Sequence, residues 1–126
     1  MTDFDILAPW GGLVGTAGDV ASFLSTSIDG NAASAQWGLS RATLDAMQRM
    51  QRSRDGRPLG RGIGWGLRQE KGETVLEHAG GGPGIDTLMR IYPKRRLGVV
   101  VMGNINDYGA ARIFSAAADI LSGQGH

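Results

Sequence analysis

His78-Ala79-Gly80-Gly81-Gly82-Pro83-Gly84 is the stretch of this 126-residue chain whose residue types and spacing could carry chemistry. It lies between two strand-like runs, Glu73–Glu77 and Ile85–Tyr92, so a histidine at a strand end is followed by backbone without side chains. Bare amides let a substrate carbonyl approach within about 3 Å and donate to the charge that develops on its oxygen. An imidazole beside them can bind that substrate or move a proton. Half of a hydrolytic centre can be built this way. The other half, a nucleophile with its base, is not evident.

Blander readings of the same residues stand beside this one. A lone histidine before a glycine-rich turn is often structural, and Gly80 to Gly84 could be a turn with no ligand. A phosphate cradle fits poorly, because the segment after the glycines reads as a strand rather than a helix N-terminus. His78 and His126 are far apart and cysteine is absent, so no metal site or cofactor is expected. Trp10, Trp37 and Trp65 read as packing residues, and His126 as a solvated terminus.

The elements that must position His78 follow from periodicity. Thr16 is a good N-cap with Asp19 three residues on, and Val20, Phe23, Leu24 and Ile28 form one apolar stripe that Gly30-Asn31 closes. A second helix is expected from Ser40, with Leu44, Met47 and Met50 on its apolar side. Arg52 to Leu59 reads as a polar loop. From Gly60 the period becomes that of strands: Gly62–Arg68, then a turn at Lys71-Gly72 into Glu73–His78. In the next strand Ile85, Thr87, Met89 and Ile91 share one face, and Asp86, Leu88, Arg90 and Tyr92 the other. Leu97–Met102, after a turn at Pro93-Lys94, is apolar throughout, as for a strand covered on both faces. Asp107 is expected to cap a last helix whose Ala110, Phe114, Ala117, Ala118 and Leu121 form a stripe ending at Gly123. These predict one α+β domain over residues 1–126, an antiparallel four-stranded meander flanked by helices.

Composition limits the function classes. Hydrophobic residues make up 41% and charged residues 20%, a globular balance, and the net charge of +1 gives no basis for electrostatic selection of nucleic acid or an acidic membrane. The arginines between Arg49 and Arg68 have no interleaved aromatics for base stacking. No apolar run approaches the roughly 20 residues of a membrane span. The acidic Met-Thr-Asp-Phe-Asp start lacks the order of an export signal, so the cytoplasm is expected if Met1 is the true start.

Four stretches in order, Pro9–Leu24, Gly62-Ile-Gly-Trp65, His78–Gly84 and Gly98-Val-Val-Val-Met-Gly-Asn104, resemble the C-terminal part of the serine β-lactamase and penicillin-binding-protein-like family, in particular class C β-lactamase-related esterases and peptidases. The resemblance implies a partial β-lactamase-like fold and ester, amide or peptide bonds as the substrate class. It implies that His78-Ala79-Gly80 is the His-x-Gly form of the family's Lys-Thr-Gly triplet, with His78 lining the acyl pocket. It further implies that Gly81 gives one backbone N–H to the oxyanion hole, whose second donor is the amide of the nucleophilic serine. An imidazole in place of the fixed ammonium of Lys-Thr-Gly suits a carboxylate-bearing β-lactam less well.

The family nucleophile lies in Ser-x-x-Lys, where one helical turn brings the amine beside the hydroxyl. No serine here has lysine three positions on; Lys71 and Lys94 follow Arg68 and Ile91 at that spacing. Tyr-x-Asn or Tyr-x-Ser is also missing, since Tyr92 leads to Lys94 and Tyr108 to Ala110. The chain alone is therefore expected not to form the family's acyl-enzyme. Three readings follow: the C-terminal portion of a serine hydrolase, a non-catalytic interaction or structural module derived from that fold, and a small hydrolase using Ser22 or Thr87. The Leu97–Met102 strand, with an edge to fill, is expected to recruit a second copy or an N-terminal complementing segment.

Overall fold

The computed structural model describes residues 11–30, 38–106, 109–121 and 123. Its element order is α1 (Ala17–Asp29), α2 (Arg41–Gln48), β1 (Gly66–Glu70), β2 (Glu73–Gly82), β3 (Ile85–Tyr92), β4 (Leu97–Gly103) and α3 (Ala110–Leu121). The strands form one antiparallel sheet in the order β1-β2-β3-β4, so the fold is the expected α+β meander with helices.

Local chemistry sets the helix ends. The Thr16 hydroxyl accepts the Asp19 N–H at 3.2 Å while the Asp19 carboxylate accepts the Thr16 N–H at 2.7 Å, a reciprocal capping box. Those bonds, the one from the Thr16 backbone first and its hydroxyl second, hold the Asp19 carboxyl below its ordinary range. Gly30, at φ 55°, ends α1 with its N–H on the Thr26 carbonyl at 2.9 Å. Ser40 caps α2, its hydroxyl accepting the Thr43 N–H at 3.1 Å.

Residues paired across the sheet share a face, which sorts every strand position by parity. Leu67, Leu76, Ile91 and Gly98 are successive partners and face α1. There Leu76 and Ile91 pack with Leu24 and Trp65, and Val20, Phe23 and Ile28 complete the cluster. The other face carries Val75, Leu88, Tyr92 and Val99 against Phe114 and Ala118 of α3. Each of the large side chains sealed in these layers contributes roughly 1.5–3 kcal/mol of burial. Leu97, Val99 and Val101 pack on α3 while Val100 packs on the α1 side, which accounts for a strand apolar at every position. Gly98 is the point of closest approach: a Cβ there would stand 2.9 Å from the Leu24 Cβ.

Several boundaries differ from the sequence reading. The first strand begins at Gly66, not Gly62. Gly60 and Gly64 have φ of 66° and 76°, and the Gly62 N–H turns back onto the Trp65 carbonyl at 2.8 Å, which an extended strand does not allow. The close approach expected of these glycines is to protein backbone: Ile63 N–H donates to the Met47 carbonyl at 2.8 Å, and a Cβ on Gly62 would meet that oxygen at 2.2 Å. In the other direction, β2 continues through Gly82 because Gly80, Gly81 and Gly82 pair with Thr87, Asp86 and Ile85. Leu121 is 63% exposed, so the buried stripe of α3 is Ala110, Phe114 and Ala118. Met50 lies past the end of α2. The caps expected of Asn31 and Asp107, and Trp10, Trp37 and His126, lie outside the described residues.

Candidate functional site

His78 is exposed on β2 and faces the α1 side, paired across the sheet with Met89. Its Nδ1 lies 2.8 Å from the Gly64 carbonyl oxygen. A carbonyl only accepts, so Nδ1 carries the proton of this bond, and in the neutral tautomer it fixes Nε2 is the acceptor. Gly64 itself is left-handed, at φ 76°. Sequence alone contained no sign of this tether, which joins residues 14 positions apart.

The glycines are aimed by strand register. Glu70↔Glu73 and Gly82↔Ile85 each flank a two-residue turn, and such flanking pairs exchange hydrogen bonds. Alternation then directs the amides of His78, Gly80 and Gly82 toward β3 and those of Ala79 and Gly81 toward β1. But β1 ends at Gly66, opposite Glu77. The Gly81 N–H therefore points to the side that β1 has vacated, three residues along β2 from His78.

The two middle glycines are glycine for different reasons. A Cβ on Gly80 would stand 2.8 Å from the Thr87 hydroxyl oxygen, which itself donates to the Gly80 carbonyl at 3.2 Å. A Cβ on Gly81 would meet only the Ile85 carbonyl oxygen, at 3.8 Å. Packing explains the first and not the second. The hairpin tip is held by a residue the sequence reading missed: the Asn106 carboxamide oxygen accepts the Gly84 N–H at 2.5 Å from the β4–α3 connection.

The two hydroxyls considered as substitute nucleophiles are engaged elsewhere. Thr87 donates to Gly80 as above, and the Ser22 hydroxyl donates to the Gly18 carbonyl at 3.0 Å, a back-bond within α1. Neither proton is directed at an imidazole. Trp65 is 4% exposed and stacks on Phe23 with centroids 6.2 Å apart, a packing residue. A cavity of about 180 Å³ lies between Ser27, Arg41, Gln48, Ile91, Pro93 and Arg96, toward the end of β3 away from the glycines. Its two arginines are held by Asp45 and Asp29. Among the described residues, no cluster of three or more His, Asp or Glu side chains is arranged to hold a metal ion, and no helix is long and apolar enough to cross a membrane.

Comparison with curated proteins gives no significant match. The family model described as Beta-lactamase matches residues 2–123, nearly the whole chain. With that match spanning all four motifs and the sheet that carries them, the chain belongs to the Beta-lactamase family.

Proposed function

We propose that this chain is the C-terminal portion of a serine hydrolase of the class C-related branch, cleaving ester, amide or peptide bonds by acyl transfer. In this reading the attacking serine and its lysine come from residues outside the chain, because Ser-x-x-Lys is missing within it. As the nucleophile adds to the substrate carbonyl, negative charge moves onto oxygen, and the Gly81 N–H donates to it. His78 lines the acyl pocket, and its Nε2 accepts a hydrogen bond or relays a proton. The observation that carries the reading is the Gly81 amide, which is directed to the side where β1 has ended, on the same strand as an exposed imidazole, and which has no packing reason to be glycine.

The β4 edge supports a companion proposal. It borders the sheet with no further strand beside it among the described residues, and such an edge is where an N-terminal complementing segment or a second copy would add. The competing function is a non-catalytic interaction module, favoured by the missing Ser-x-x-Lys.

A fluorophosphonate probe tests the main reading. The isolated chain stays unlabelled, and labelling appears when it is combined with a segment bearing Ser-x-x-Lys. Gly81→Pro, which removes the one amide hydrogen, then lowers the labelling rate about a hundredfold. Undiminished labelling in both Gly81→Pro and His78→Ala would refute the assignment.

A further inference from the structure

The sheet segregates its charges. From Leu67 and Gln69 on β1 to Val100 and Met102 on β4, no position on the α1 face is Asp, Glu, Lys or Arg. All such residues in the four strands, among them Arg68, Glu70, Glu77 and Arg90, lie on the α3 face or in the turns. His78 is the one titratable side chain that the four strands themselves present on the α1 face.

What surrounds it there is a shallow apolar shelf. Gly80 and Gly82 contribute bare backbone to that face, and their cross-strand partners are Thr87 and Ile85. Thr87 pairs in turn with Met102, and Met89, the partner of His78, pairs with Val100. Ile85 and Met102 remain 55% and 41% exposed; Ile85 faces only the bare backbone of Gly82, and Met102 packs beside Thr87. An exposed apolar cluster continuous with a polar group is the usual composition of a small-molecule site, in which the apolar part binds and the polar part orients. A carboxylate placed on this shelf would meet no cation of the sheet, whereas an apolar chain would cover the exposed Ile85 and Met102.

We propose that the shelf formed by Ile85, Thr87, Met89 and Met102 beside His78 and Gly80 binds the acyl group of the substrate, and that it selects acyl chains that are apolar and carry no charge. This rests on the acyl-pocket reading above and names its substrate class. It separates the site from one built to hold a substrate carboxylate by a fixed ammonium.

The test uses this chain with two esters of matched size, methyl butyrate and monomethyl succinate, followed by backbone amide and imidazole NMR. Methyl butyrate shifts Gly80, Gly81 and His78 and binds at least tenfold more tightly than monomethyl succinate. Met102→Lys, at an exposed position, cuts that ratio at least threefold by supplying the missing cation. Equal or tighter binding of monomethyl succinate at the same resonances overturns the charge selection and leaves the acyl-pocket reading standing. If neither ester moves those three residues in the folded chain, the pocket assignment fails with it.

Discussion

On the α3 face of the sheet, polar groups are spent on one another; on the α1 face, they are left available. Arg90 is buried with its Nε 2.9 Å from the Glu77 carboxylate and its guanidinium carbon 4.7 Å from the Phe114 ring centroid. Glu73, also buried, holds Arg95 at 2.6 Å, and Arg95 lies over Tyr92 at 4.8 Å. Every member has a counter-charge or an aromatic plane, so removing one strands another. His78, by contrast, has no counter-charge on its face, and among the described residues only its Nδ1 makes a hydrogen bond. The contrast separates a face whose charges hold the fold together from the face on which the proposed site lies.

The sharpest way to break this contrast is Arg90→Ala. It leaves Glu77 with only the longer contact to Arg68 at 3.4 Å, strips the guanidinium from the Phe114 ring, and should cost about 2–3 kcal/mol. Urea denaturation reads the loss directly, and a cost under about 1 kcal/mol would mean that the charged face is not a stabilising set.

Gly98→Ala comes next. It tests the α1 face where that face is packed rather than open, by forcing a methyl against Leu24 at 2.9 Å. Overpacking of this kind costs about 2 kcal/mol, seen as a lower urea midpoint.

Thr16→Ala has a smaller effect, about 1 kcal/mol, since it removes a helix cap without touching the sheet. It also alters the acid response. Because the Asp19 carboxyl titrates below its ordinary 3.8 when folded, its contribution is fully present above that value and is lost as pH falls through the lowered folded value. Circular dichroism from about pH 5 to about pH 2 should show that acid loss in the parent chain and a flatter curve in Thr16→Ala.

The smallest expected change is His78→Ala, at under about 0.5 kcal/mol, because the ring is exposed and packs into neither core. A loss above about 2 kcal/mol in the same urea assay would make His78 a folding residue and dissolve the distinction between the faces.

Much of this architecture was legible in the chain itself. Thr16 and Asp19 announce the start of α1 because a capping box needs only short-range chemistry, and the alternation through Ile85–Tyr92 sorted its side chains onto the faces observed. Leu97–Met102 was readable as doubly covered because no position in it is polar. What remained hidden depends on distance or on glycine. Gly60–Gly64 looked extended, yet left-handed backbone at two of its glycines, which no side chain signals, turns it back on itself. The paired stretch Gly80–Gly82 looked like a turn, since glycine has low strand propensity and only the register with Thr87, Asp86 and Ile85 makes it a strand. In the candidate site, His78 and the glycines could be named from type and order. The tether to Gly64 and the clamp from Asn106 could not, for they join residues 14 and 22 positions apart.

The seat of Gly62 on α2 has a consequence for the imidazole. One short loop touches the Met47 carbonyl at Gly62 and Ile63 and grips the His78 ring at Gly64, so helix and ring are the two ends of a single lever. A shift of the last turn of α2 is therefore expected to move the anchor of the imidazole, which a change in the His78 ring resonances on substitution of Met47 would register.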